Sequence, residues 1–347
     1  MRTVDNVIDY LKQIQEITAS DTKIAHEMLS KSKTKAESTS QKKKPQSYDE
    51  AVAMQQIDKL ESIIGEIADK SDCINSDNQQ PAITNHYKFY YRGHYKTSYS
   101  LLPSVFRDVY WNKEDYYYHE IMVRCPDRFQ FLTHLDKLVL MQHYGSPTRL
   151  LDVTSNPLVA LYFACKNFGC KDCASLNEGL VYVFTKLAEE VAYSDSDKAL
   201  MLSCLAKFSS HDKSKLLSLC LDNLPNDKFP QASNSRYKDD VVERFYYEVT
   251  TEVPSFKREI KSIDLLQPLF VQPNKADGCI LKQDGAFVLS GLSANPAQAQ
   301  EKLEGISYTE LHIKDQKGII KELEQLEIHE ASLFPEVDKV ANYLKEH

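Results

Sequence analysis

The stretch Gln142-His143-Tyr144-Gly145-Ser146-Pro147-Thr148-Arg149-Leu150-Leu151-Asp152-Val153-Thr154-Ser155-Asn156-Pro157 limits what this chain can fold into more than any other. Before it, residues 128–143 place Phe131, Leu135, Leu138, Val139 and Gln142 on one face, and the spacing predicts a helix. Gly145 supplies a stop and Pro147 follows it. Thr148 to Val153 reads as a short strand or extended turn. Asn156-Pro157 then reads as an N-cap with proline at the first helical position, opening a helix over 158–168 that ends at Gly169. The end of one helix, an extended run and the start of another are thus set close together along the chain.

Further along, aromatic Tyr87 to Tyr91 predicts a strand, as do Leu180 to Phe184, Phe245 to Thr250, Ala286 to Ser290 and Thr309 to Ile313. Leu101 to Phe106, Leu269 to Gln272 and Cys279 to Leu281 read as extended. Helical patterns cover Thr3 to Ile17, Tyr48 to Lys70, Trp111 to Arg124, Ile319 to Leu326 and Glu336 to Glu346. Strands and helices alternate without a βαβ rhythm. The expectation is an α+β fold with a mixed or mostly antiparallel central sheet flanked by helices. Two regions are expected: a helical N-terminal region, 1–80, with a flexible Lys- and Ser-rich loop at 31–47, and a domain over 81–347. The polar stretch at about 187–240 reads as an insertion with helices at Ala199 to Phe208 and Lys213 to Leu221.

Lys and Arg total 42 against 50 Asp and Glu, for a net charge of -8, so bulk attraction to nucleic acid is not expected. With 10 glycines and no GxGxxG or GxxxxGK[ST], the common nucleotide-binding loops lack support. No apolar run approaches the ~20 residues of a membrane helix. Met1 to Glu16 lacks a signal-type apolar core, and eight cysteines without such a leader suggest reduced thiols; a cytoplasmic location is expected. Cys165, Cys170 and Cys173 invite a zinc reading, but no fourth ligand stands at metal-site spacing, and no metal is expected.

Two places could carry chemistry. Arg92 ends the aromatic strand before Gly93, a fixed cation where the backbone turns and suited to bidentate recognition of carboxylate or phosphate. In the second, the helix start at Asn156 offers unpaired N–H groups, with Arg149 nearby as a full charge, a natural anion site. His143, oriented by Asp152, would serve as general base or acid. The plainer alternative is that Asn156 only caps, Asp152 only neutralises an arginine and His143 only finishes its helix.

These residues resemble the FRG domain family, named for a Phe/Tyr-Arg-Gly tripeptide. Tyr91-Arg92-Gly93 is similar to that tripeptide, and Leu102-Pro103-Ser104-Val105-Phe106-Arg107 to the segment after it. The stretch from Gln142 through Ala164 is similar to the family's long signature, with Val153 where the family usually has an aromatic residue. Gln283, Gly285 and Phe287 resemble a later Gln-x-Gly-x-Phe element, and Leu333-Phe334-Pro335 a closing one. The resemblance implies a bacterial or phage-linked setting, in defence or a toxin system. There is a looser similarity to ADP-ribosyltransferases, with Arg92 as the strand basic residue and Thr148 or Thr154 as the strand hydroxyl. The late Glu of that group is missing, because Gln283 is not followed by one.

Three functions follow as alternatives. An enzyme would grip a nucleotide or NAD as substrate through Arg92 and Arg149, orient ribose or base with Gln142 and Gln283, and use His143 and Asp152 for proton transfer. A binding module would recognise a nucleotide or phosphorylated partner through the same residues without turnover. In a scaffold they would form a buried polar network whose members satisfy one another.

Overall fold

Strand β2, Tyr87–His94, has two unlike faces because side chains alternate along a strand. In the computed structural model, residues 2–20, 87–167, 178–226, 228–230, 240–257, 259–274 and 278–346 are described. The loop at 31–47 and the helix expected over 48–70 lie outside them, as do Cys170 and Cys173. Tyr91 faces one layer of helices, while Tyr90 and His94 face the opposite side of the sheet.

The other strands are β1 (Arg2–Val4), β3 (Leu150–Thr154), β4 (Gly179–Leu187), β5 (Val191–Tyr193), β6 (Leu269–Gln272), β7 (Gly285–Leu289) and β8 (Tyr308–Ile313). They form one sheet in the order β1-β8-β4-β2-β3-β7-β6-β5. The outermost pairs, β1 with β8 and β5 with β6, are parallel, and every pair between them is antiparallel. The fold is α+β with a mixed, mostly antiparallel sheet.

The sheet is strongly curled. In a flat sheet β2 and β6, three positions apart, would lie about 14 Å from each other, and β4 and β6 about 19 Å. Yet the rings of Tyr90 and Phe270 are 5.4 Å apart and those of Phe184 and Phe270 5.6 Å apart. The hollow of the curl is filled by Tyr90, Leu151, Val153, Tyr182, Phe184 and Val288, and helix Pro296–Glu304 packs there through Ala299 and Leu303.

Two helical layers cover the other face. Residues 7–20, Pro157–Cys165 and Gln316–Gln325 pack on the β1-β8-β4-β2 half. Helices Glu114–Arg124, His134–His143, Asp197–Cys204, Ser210–Asn223 and Asp240–Glu252 pack beside β3, β7 and β6. Two of these come from the stretch read as an insertion, and they supply fully buried Leu202, Cys204, Leu216 and Cys220 to the core.

Several elements differ from the sequence reading. Phe245 to Thr250, expected as a strand, lies inside helix Asp240–Glu252. Val241, Val242, Phe245, Tyr246 and Val249 are buried at helical spacing, which outweighs the β preference of an aromatic run. Cys279 to Leu281 belongs to helix Gly278–Lys282. Val4 is in a strand rather than in the first helix. The helix expected over 128–143 is broken: Phe131 takes a positive φ of 62°, and Thr133 starts a new helix by accepting a hydrogen bond from Asp136 N at 3.1 Å. Phe131 therefore leaves the apolar face and is fully exposed. No helix among the described residues is long and apolar enough to cross a membrane.

Candidate functional site

Gly93 decides where Arg92 sits. A Cβ there would lie 1.9 Å from the Ala160 carbonyl oxygen and 2.6 Å from Ala164 N, so only glycine lets helix Pro157–Cys165 rest on β2. β2 pairs with β3 only at Tyr91–Thr154. Beyond that pair Arg92 Nη1 donates to the Asp152 carbonyl at 2.6 Å, so a side chain joins strands where their backbone pairing stops.

A cleft of about 200 Å³ opens here, lined by Arg92, Ser104, Arg107, Gln142, Ser146 and Asp152, with Gly145, Leu150 and Leu151. The polar groups are set in sequence. Buried Thr148 donates from its hydroxyl to Gln142 Oε1, which orients the amide so that Nε2 donates to Asp152 Oδ1 at 2.6 Å. The other Asp152 oxygen is 3.8 Å from Arg92 Nη1. The Asp152 side chain is 64% exposed and that of Arg92 15%, so a carboxylate faces solvent over a largely sunken guanidinium.

Arg92 Nε donates to His94 Nε2 at 2.9 Å, which fixes His94 as an acceptor at that nitrogen. Burial, reinforced by the charges of Arg92 and Arg107, pulls the His94 imidazole down to about 3, so it is neutral at physiological pH. Burial also draws Arg92 down to about 10, opposed by Asp152 and reinforced by Arg107, and it stays cationic.

Arg107 is the cleft's second cation. Its Nε and Nη2 donate to the Leu102 carbonyl at 3.0 and 2.7 Å, which anchors the guanidinium and leaves three of its five N–H groups open. It forms no ion pair among the described residues. Ser104 Oγ accepts from Thr148 N at 3.0 Å, and Ser146 Oγ is buried at the cleft wall without a hydrogen-bond partner among the described residues. Gly145, at φ 78°, makes the turn that carries Ser146 there. The charged side chains lining the cleft leave one positive charge in excess.

Of the residues singled out in the sequence, Arg92, Gln142 and Asp152 meet at the cleft, with Thr148 directly behind Gln142. The others do not. Arg149 is walled in at 1% exposure, gripped by Glu114 through Nε at 2.8 Å and Nη2 at 2.6 Å, while Nη1 donates to the Ser290 carbonyl at 3.1 Å. Lys213 Nζ also donates to Glu114, at 2.6 Å. Arg149 precedes β3, and its side chain is held among helices Glu114–Arg124 and Ser210–Asn223 rather than at the cleft.

His143 is not oriented by Asp152: its Nε2 lies 3.7 Å from Glu336 and its ring packs edge-on against Tyr144. Asn156, Thr154 and Gln283 stand at the far end of β3, about 13 Å from its start. Asn156 Oδ1 accepts from Leu158 N at 3.0 Å, the plain cap, and no anion site forms with Arg149. Thr154 donates to the Gln283 carbonyl at 2.6 Å, and Gln283 Nε2 to the Leu333 carbonyl at 3.1 Å, so neither reaches the cleft. Cys165 is buried, and among the described residues no His, Cys, Asp and Glu group is arranged to hold a metal.

The residue missed as a ligand-facing group is Arg107. Its signal was present: a basic residue just after a Pro-containing extended segment, in the part that resembles the family. Arg149 is closer in sequence to the helix start, but Glu114 holds it away from the cleft. Residues 87–172 match the FRG domain. No curated protein and no solved structure matches the chain.

Proposed function

We propose that the Arg92–Arg107 cleft, which lies within the residues that match the FRG domain, binds a phosphate-bearing nucleotide, NAD-type molecules included. The observation that carries the reading is Arg107: an anchored guanidinium without an ion-pair partner among the described residues, facing the same cleft as a second, sunken arginine. Two like charges brought together raise each other's energy, and an anion held between them relieves that cost. Arginine forks match phosphate oxygens two at a time. Ser104 and Ser146 add hydroxyl donors, and Asp152 with Gln142 is suited to the hydroxyls of an adjoining ribose. A volume of about 200 Å³ accommodates a phosphate and its sugar and leaves a base or second nucleotide outside.

Calorimetry with nucleoside mono- and diphosphates and NAD tests this. Wild-type protein binds at least one of them, and Arg107→Ala weakens that binding about 10-fold or more, the loss expected for charge-assisted hydrogen bonds. Because Arg107 is exposed, its removal shifts unfolding free energy by no more than about 0.5 kcal/mol. Equal affinity in wild type, Arg107→Ala and Arg92→Ala excludes the reading. Chromatography of the same mixtures separates turnover from sensing, with Asp152 as the general base to replace by Asn if product forms.

The scaffold alternative is favoured for Arg149, whose partners are all buried protein groups, and for Thr154 and Gln283, whose hydrogen bonds go to backbone carbonyls.

A further inference from the structure

The curl of the sheet has two ends. The cleft lies at one. At the other, where β2, β6, β7 and β5 open outward, is a second cavity of about 200 Å³ lined by Tyr90, Ser155, Tyr193, Gln272, Asp284 and the start of β7. The mouth of a curled or closed sheet is a common place for small-molecule binding.

We propose that this mouth binds a single planar ring carrying an anionic group, independently of the Arg92–Arg107 cleft. Three features specify the class. Tyr193 leaves 64% of its surface exposed at the rim, a flat apolar face for stacking. Tyr90 is 1% exposed and its hydroxyl is buried with no hydrogen-bond partner among the described residues, a donor that a ligand's polar edge would satisfy. Lys88 Nζ lies 5.7 Å from the Tyr193 ring centroid and donates to Gln272 Oε1 at 3.2 Å, with no carboxylate partner among the described residues. An ammonium beside a stacking face selects a ring with a carboxylate or phosphate over its neutral counterpart. Asp284 and Ser155 supply an acceptor and a hydroxyl on the opposite wall.

Ligand-observed NMR titration with nicotinate and 4-hydroxybenzoate, each against its neutral amide, provides the test on the full chain. Both acids bind saturably and each more tightly than its amide. Tyr193→Ala weakens the acids about tenfold. Tyr90→Phe, which keeps the ring and removes only the donor, weakens them several-fold. Lys88→Ala removes the preference for acid over amide, and Arg107→Ala, which weakens nucleotide binding at the cleft, leaves the affinity for both acids as in wild type. Failure of wild-type protein to bind either acid saturably overturns the proposal. So does binding that Tyr193→Ala and Tyr90→Phe leave intact, or that Arg107→Ala abolishes; the last result would place these anions in the cleft and leave the nucleotide reading standing.

Discussion

Arg92, Arg107 and Arg149 show how three identical side chains acquire different work from their partners. Arg149 has a full carboxylate and no solvent, so its role is structural. Burial would raise the Glu114 carboxyl, but the charges of Arg149 and Lys213 override it and hold the group at about 2. A depressed carboxylate stabilises the fold above its ordinary value of about 4.5, and that contribution is lost as pH falls from there through about 2. Acid titration followed by circular dichroism is expected to show stability falling in that window. Glu114→Gln strands two buried cations and costs about 3–5 kcal/mol at neutral pH in denaturant unfolding. Lys213→Met leaves the Arg149–Glu114 pair intact and costs clearly less. Sequence could name the arginines but not sort them. Glu114 stands 35 residues from Arg149 and Lys213 lies 99 from Glu114, so no local pattern joins them.

At the scale of elements, the Tyr91-Arg92-Gly93 tripeptide has a mechanical explanation. Tyr91 packs under the helical layer, Arg92 bridges the parting strands, and Gly93 removes the side chain that helix Pro157–Cys165 would strike. Gly93→Ala must push that helix away, destabilising by about 1–3 kcal/mol or more and displacing Arg92, so thermal stability and nucleotide binding fall together. Asn156→Ala removes only a cap, costing about 1 kcal/mol in chemical unfolding while nucleotide affinity holds. The Asn-Pro helix start and the Gly145 turn were legible because local chemistry sets them. The break at Phe131 and the helix through Phe245 were not. Each depends on which neighbours bury the aromatic residues, and propensity alone does not encode that.

At the scale of the molecule, the mixed, mostly antiparallel sheet was readable from irregular strand–helix alternation, while its curl was not. The curl brings Phe270 against Tyr90 and Phe184 from strands far apart in order. The run of β3 separates some of the expected site residues, with Asp152 lining the cleft and Thr154 and Asn156 beyond it at the strand's far end. Of the expected ligand groups, Arg92, Gln142 and Asp152 share the cleft, and the second guanidinium there is Arg107. The most direct measurement is a crystal structure of the protein with a bound nucleoside diphosphate. A phosphate oxygen within about 3 Å of both the Arg92 and Arg107 guanidiniums is the predicted result. A phosphate seated elsewhere, with Arg107 still turned only to the Leu102 carbonyl, would contradict it.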